Sequence, residues 1–417
     1  MAQLSDDCFA FGGPMMKVDE ALAIITSRLT PVEDIDSVEV SSADGRTLAA
    51  DVIAPINIPS FMNSAVDGYA VRGEDVPVGG ACEFRVQNRV TAGAIANEVI
   101  RPGHAIRIFT GAPMPPGADT VYMQEDVEIG DGIVVLPPGL EPGANVRLAG
   151  EDILQGSIAL SKGQRMRPQD VALAAALGLT ELAVRRRPRV AVFSTGNEVV
   201  SPGEERTAAQ LFDSNRTMLR AMLLRLGCEV MDLGILRDDR ATLAAAMKQA
   251  AQGCDLILTT GGVSTGEEDH VRAAVEIIGS LVLWRMAIKP GRPVAMGVID
   301  GTPFIGLPGN PVAGFVTFTY VVRPAILALA GTSPMPLVPL RVRAAFDYRK
   351  KAGRREYIRV TLKQGDDGLF NAVKFPREGA GLLSSLVQTD GLVELGETVS
   401  TVKPGDLLNF LPYSSLL

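Results

Sequence analysis

Residues 189–198 read RVAVFSTGNE and residues 256–262 read LILTTGG. Each is a short apolar run that breaks into hydroxyl residues and glycine. Such runs suit buried strands that end in loops at a sheet edge. Between them the apolar period changes. From about Asn215 to Leu226 the spacing of Met218, Met222 and Leu226 predicts a helix, with Asp213 or Ser214 as its cap and Gly227 as its stop. A strand follows over Glu229 to Leu236, then a helix from about Arg240 to Gln252 and the strand Leu256 to Thr259. Beyond these come a helix over Asp269 to Ile278 and a strand over Leu281 to Met286. Strands alternating with helices at this spacing predict a parallel α/β sheet covered on both faces.

Outside this stretch the pattern differs. Glu39 to Gly163 holds short strands broken by proline and glycine, which predicts small β-rich modules. Pro168 to Leu179 reads as a short alanine-rich helix, and Arg185-Arg186-Arg187-Pro188 as a hinge. After the Gly331–Pro336 linker, apolar and polar residues alternate, as in Arg341 to Phe346 and Tyr357 to Leu362. That predicts an all-β C-terminal domain. A chain of 417 residues is too long for one core, so several domains are expected.

Composition narrows the chemistry. A formal net charge of −8 opposes nonspecific nucleic-acid binding, so an anionic ligand must meet local cations or oriented amides. Cys8, Cys82, Cys228 and Cys254 form no CxxC pair, which favours reduced, core-packed thiols. His104 and His270 are the only histidines, leaving little material for a histidine-built metal site or a Ser-His-Asp triad. No signal-peptide pattern is evident at the start. The apolar stretch around Val171 to Leu179 is about half of the ~20 residues that a membrane span needs. A cytoplasmic protein with no membrane or nucleic-acid partner is expected.

In a parallel α/β sheet ligands bind beyond the carboxyl ends of the strands, and the unusual loops fall there. Ser194-Thr195-Gly196-Asn197-Glu198 follows the first strand and Arg237-Asp238-Asp239 the second. Thr259 to Gly266 follows the third and includes Gly261, Gly262, Ser264 and Gly266. Glycines and hydroxyls before a helix offer amide N–H groups and a positive dipole end to phosphate. Lys289-Pro290-Gly291-Arg292 puts two cations around a turn, suited to phosphate or another oxyanion. Gly306-Leu307-Pro308-Gly309-Asn310-Pro311 stiffens a loop opening the next helix. The acids Glu198, Asp238, Asp239, Glu267, Glu268 and Asp269 lie on the same loops, and carboxylates beside phosphate suit Mg²⁺.

Six segments in order resemble the molybdopterin molybdenumtransferase (MoeA) family, whose eukaryotic relatives include the gephyrin E domain and plant Cnx proteins. They are SAVDGYAVR (64–72), RIFTGAPMPPGADTV (107–121), FSTGNE (193–198), TTGGVSTGEEDH (259–270), AIKPGRP (287–293) and GLPGNPV (306–312). The resemblance implies a helical segment over 14–36 packing on the α/β domain and a lever domain from 37–54 with 156–187. It further implies a small β-rich domain over 55–155, the molybdopterin-binding-like α/β domain over 188–332 and a β domain over 336–417.

The implied reaction is Mg²⁺-dependent: adenylylated molybdopterin and molybdate give the molybdenum cofactor and AMP. The implied assembly is a homodimer with its cleft between subunits, in transient contact with the adenylyltransferase of the same pathway. By motif position Asp67, Thr110, Glu198 and Lys289 are the catalytic candidates. Asp152, Glu198, Asp239 and Asp269 are the metal candidates. Substrate binding falls to Ser194, Thr195, Gly196, Gly261, Gly262, Ser264, Gly266, Lys289, Arg292, Pro308, Gly309, Pro311, Arg354 and Ser384. Asn197, Arg285, Arg292 and His270 depart from the residues common at their positions. Two alternatives stay open at this point: molybdopterin adenylyltransferase activity, and a non-catalytic gephyrin-like scaffold.

Overall fold

The computed structural model describes residues 15–95, 97–262 and 270–416. Its centre is a six-stranded sheet ordered Glu229–Leu236, Arg189–Thr195, Leu256–Thr260, Thr302–Leu307, Pro293–Ile299, Gly279–Arg285. The first four run parallel. Strand alternation divides the core between the two faces. Val190, Val192, Leu256 and Leu258 pack on one side with Leu219, Met222 and Leu223 of the helix Ser214–Arg225. Ala191, Phe193 and Ile257 pack on the other with Leu243 and Met247 of the helix Arg240–Ala251 and with Val271 and Val275 of the helix His270–Ile278. The sheet is covered on both faces, as its sequence predicts.

Two neighbouring strands were not legible. Pro293–Ile299 runs antiparallel to both neighbours and forms a hairpin with Thr302–Leu307. The two-residue turn is Asp300-Gly301, with both residues at positive φ (46° and 89°). Asp-Gly supplies that backbone because glycine meets no Cβ penalty there and a short polar side chain tolerates it.

The chain then enters Pro311–Leu329, 19 residues with mean hydropathy 1.7 and 89% buried. This stretch, and not Val171 to Leu179, is the longer apolar run. Its length and composition would suit a membrane span, but here it packs as a core helix against the sheet and the helix Val18–Arg28. A π-helical turn at Phe318–Val322 precedes Pro324. Proline has no N–H to give the carbonyl four residues back, so the regular ladder is interrupted there.

The preceding segments fold back on themselves. Ile35–Glu39 pairs with Glu181–Arg185, and Val52–Ile53 with Ile158–Leu160. Between these pairs lies a second six-stranded sheet, ordered Thr120–Met123, Gly68–Val71, His104–Ile108, Cys82–Val90, Ile133–Leu136, Glu128–Gly130.

At the other end, Arg355–Gln364 pairs with both Phe370–Lys374 and Gly391–Leu395, closing an all-β barrel around Val342, Val360, Val393 and Phe410. Ile288–Lys289, which leaves the central α/β unit, adds in parallel to this barrel opposite Arg355 and Glu356. The α/β unit and the barrel therefore share backbone hydrogen bonds, among them Arg355 N–H to Ala287 O at 2.8 Å.

Gly68 permits the closest strand approach near the sequence-predicted site. A Cβ there would sit 1.8 Å from the Tyr122 carbonyl oxygen. Gly68→Ala must therefore push two paired strands apart, with a cost of about 3 kcal/mol or more, in the range of severe backbone clashes. Calorimetry of the full chain should show the first unfolding transition several degrees lower.

Candidate active site

Three loops of the α/β unit meet beyond the sheet edge. The strand Arg189–Thr195 ends in Ser194 and Thr195, both buried, and Gly196 turns the chain at φ 136°. The strand Leu256–Thr260 ends in Gly261 and Gly262, and the Gly261 amide donates to Leu307 O at 3.1 Å. Their lack of side chains is a packing requirement. A Cβ on Gly261 would stand 2.9 Å from Thr195 O, and one on Gly262 2.5 Å from Val271 Cγ2. The third loop is tied in by Asn215, whose Nδ2 donates to Thr260 Oγ1 at 3.0 Å and to Gly309 O at 2.7 Å. Sequence reading saw Asn215 only as the start of a helix, and nothing local distinguishes that role from bridging two loops. Among the described residues, Ser194 Oγ, Thr259 Oγ1 and Asn215 Oδ1 are buried without a hydrogen-bond partner. Unpaired buried polar atoms are rare unless a ligand or water completes them.

The same Gly306–Val312 loop borders a cleft of about 350 Å³ between the α/β unit and the barrel. Its cations are Lys289, Arg292, Arg359, Lys374 and Arg377, against the carboxylates of Glu356 and Glu378. Lys289 Nζ lies 3.2 Å from Glu356 Oε2 and donates to the Tyr348 phenol at 3.1 Å. Burial opposes its charge, but Tyr348 and Glu356 outweigh that and hold the ammonium above the ordinary lysine value. Arg359 donates to Gly379 O at 2.8 Å and to Ser385 Oγ at 2.9 Å. Its Nε is buried with no partner among the described residues, and burial pulls the guanidinium below its usual value. A buried guanidinium with a donor to spare is a natural anion ligand.

Beside the expected Arg354 and Ser384 the structure thus adds a hydrogen-bonded pair, Arg359 and Ser385. Arg354 reaches the cleft only through Glu356, 3.5 Å away, and Ser384 is exposed at the start of a one-turn helix.

Asp67 and Thr110 meet directly. Asp67 Oδ1 accepts from the Thr110 amide at 2.8 Å and from its hydroxyl at 2.7 Å. Those two donors, with Arg107 nearby, hold Asp67 below the ordinary carboxylate range. Arg107 is fixed by Gly68 O at 3.2 Å and by Gln124, and its guanidinium lies over the Tyr69 and Phe109 rings. Among the described residues no hydrogen bond joins this pair to the sheet edge.

The acids are dispersed. Among the described residues no three His, Cys, Asp or Glu side chains form a metal-holding group. Asp239 is a helix cap: its Oδ2 accepts from the Thr242 amide and hydroxyl, each at 2.8 Å, which lowers its pKa. Asp152 is exposed beside Ile58, away from the sheet edge. Ser264, Gly266 and Asp269 lie outside the described residues. Glu198 is the acid left at the edge. Its carboxylate folds over Gly196 and makes no hydrogen bond or ion pair among the described residues, while Asp238 stands 3.4 Å from Thr195 Oγ1. Mg²⁺ at phosphate sites needs only one or two carboxylates beside substrate oxygens and water, and these two fit that requirement.

Comparison with known proteins agrees with this layout. The MoeA N-terminal region (domains I and II) matches residues 16–178. A probable molybdopterin binding domain matches 191–328, and the MoeA C-terminal region (domain IV) matches 341–413. The molybdopterin molybdenumtransferase of Haemophilus influenzae is 35% identical over 405 residues, spanning 97% of this chain and all of the relative. The chain belongs to the MoeA family. Molybdopterin molybdenumtransferase 2 of Mycobacterium tuberculosis is 34% identical over 412 residues, covering 94% of this chain and 98% of the relative. A crystal structure of the MoeA protein of Pyrococcus horikoshii superposes with a TM-score of 0.81 at 29% identity, covering 96% of this chain and 100% of that one. The MoeA architecture accounts for the N-terminal modules, the central α/β unit and the closing barrel together.

The Asp67–Thr110 pair makes a direct prediction about proton affinity. Both donors stabilise the ionised carboxylate, so losing one must move its titration upward. In Thr110→Val the hydroxyl donor disappears, and Asp67 should titrate closer to an ordinary aspartate, followed by carboxyl-carbon NMR. An unmoved titration would show that the amide alone sets it.

Proposed function

We propose that this enzyme of molybdenum-cofactor biosynthesis inserts molybdate into adenylylated molybdopterin and releases AMP, in a Mg²⁺-dependent reaction. The observation that carries the reading is one shared loop. Pro308 to Asn310 belongs both to the amide-rich sheet edge and to the cationic cleft. A substrate with two phosphorus centres and a tetrahedral dianion could then lie side by side, each in a site of fitting chemistry.

In this reading the sheet edge holds the pyrophosphate that joins pterin to nucleotide on amides and hydroxyls of residues 194–196 and 260–262. Lys289, Arg292, Arg359 and Lys374 hold the oxyanion in the cleft. Mg²⁺, held by Glu198 and Asp238, would offset charge at the scissile phosphoanhydride when bound. Asp67 and Thr110 act across a homodimer interface on the partner's sheet edge. The setting is the cytoplasm, with transient contact to the adenylyltransferase that supplies the substrate.

No protein nucleophile is required. Cys228 and Cys254 are buried, and burial pushes the Cys228 thiol up to about 12, so neither offers a ready thiolate. Positioning and fixed charge supply the catalysis.

Purified protein given adenylylated molybdopterin, Mg²⁺ and molybdate should form AMP and mature cofactor together, and omitting molybdate should stop both. Arg359→Ala should raise the KM for molybdate roughly tenfold or more, the loss of a charge-assisted hydrogen bond. Its binding of AMP should stay as in the parent. AMP release that is indifferent to molybdate would defeat the assignment.

A further inference from the structure

Glu356 poses a question that the cleft's chemistry leaves open. A site built for an anion contains a carboxylate that is 2% exposed, and electrostatics alone would remove it. We propose that Glu356 is a positioning residue: its carboxylate, together with the Tyr348 phenol, fixes the Lys289 ammonium so that the cleft presents a stationary cation. The proposal rests on reading this cleft as the oxyanion site.

The geometry begins in the backbone. Lys289 and Glu356 are register partners in the parallel pairing that joins the α/β unit to the barrel. Lys289 Nζ is 3.2 Å from Glu356 Oε2, Tyr348 donates its O–H to that same oxygen at 2.9 Å, and Nζ to the Tyr348 oxygen is 3.1 Å. The three groups form a closed triangle. Lysine otherwise carries a point charge on a mobile four-carbon stem, and the Lys289 side chain is 46% exposed. Among the described residues Tyr348 and Glu356 alone hydrogen-bond its ammonium. The second carboxylate oxygen faces Arg354 at 3.5 Å and makes no hydrogen bond.

Other charges around the triangle are Lys350, whose ammonium senses Glu356, and Lys374, which lies 5.3 Å from the Tyr348 ring centroid and is paired with Glu378. A buried carboxylate persists where cations and donors compensate it. Here the compensating cation is itself the group that the oxyanion needs.

Two roles for Glu356 give opposite signs. If Lys289 matters only as charge, Glu356→Gln removes a competing anion and should improve turnover at low molybdate. If Glu356 positions the lysine, kcat for cofactor formation should fall tenfold or more while the molybdate KM stays the same or drops. The double variant Lys289→Ala/Glu356→Gln should then be no slower than Lys289→Ala alone. A readout independent of turnover is the NMR titration of isotope-labelled, unmodified Lys289, assigned with Lys289→Arg. Its pKa should fall in Glu356→Gln, as loss of an adjacent carboxylate requires, and the order of its ammonium end should fall too, which loss of charge without loss of positioning would not cause.

Tyr348→Phe keeps the charge and the ring, and should lose kcat severalfold in the same direction. It decides the matter if Glu356→Gln fails to fold, because unchanged kcat in Tyr348→Phe would overturn the proposal. So would additive single losses, or a Glu356→Gln protein with parental kcat and parental Lys289 titration. Calorimetry of molybdate binding to the parent protein separates the two levels. Absence of binding would remove the oxyanion role of the cleft, while the lysine titration would still judge the triangle.

Discussion

The arrangement depends on a two-residue backbone ladder, Ile288–Lys289 against Arg355–Glu356. It is short, but it lies where the α/β unit hands a strand to the barrel. Ladder hydrogen bonds fix register, and register decides which side chains face each other. Lys289 meets Glu356 because of it, and the cationic wall of the cleft comes from both units. Arg355 reinforces the seam with Asp19 at 2.8 Å and Glu397 at 3.1 Å, tying the N-terminal helix to the same place. A site assembled from separately folding parts needs such a junction, because sub-ångström positioning cannot be inherited from flexible linkers.

Much of the α/β unit was legible because its signals are local. The run Val190 to Phe193 alternates between two cores, and the helix Ser214–Arg225 carries its own cap in Asp213, whose side chain accepts from the Arg216 amide. The hairpin Pro293–Ile299/Thr302–Leu307 was missed because the Lys289-Pro290-Gly291-Arg292 turn just before it drew the reading toward loop chemistry. Its Asp300-Gly301 turn was visible in principle. The apolar length of Pro311–Leu329 was also present in the sequence. Its burial was not, since burial depends on how the N-terminal helix and the barrel close around it.

Within the candidate site, legibility followed the same rule. Asp67 and Thr110 were named from separate motifs, and the structure brings them into contact across 43 residues of chain. Asp239 illustrates the opposite case. An acid directly before a helix satisfies orphan amides, and sequence position alone does not tell a cap from a metal ligand. Arg359 and Ser385, hydrogen-bonded to each other, carried no signal of their own because motif spacing loosens in the barrel, where strand alternation makes each step a change of face. Asn215 carried no signal, since its partners Thr260 and Gly309 are 45 and 94 residues away.

The charge balance connects these parts. In the proposed reading, a chain of net charge −8 that handles a pyrophosphate and an oxyanion gains nothing from its overall field. Its attraction must be local, short-ranged and held in place. The sheet edge meets that demand with amides and hydroxyls, which carry no counter-ion and need no neutralising partner. The cleft meets it with full charges, which repel one another unless anions lie among them. Glu356 and Glu378 are those anions, each bound to a lysine of the wall. They lower the cleft's total charge, yet they allow several cations to stand close together before any substrate arrives. The carboxylates are therefore a condition of crowding these cations into one cleft, whichever anion the cleft receives.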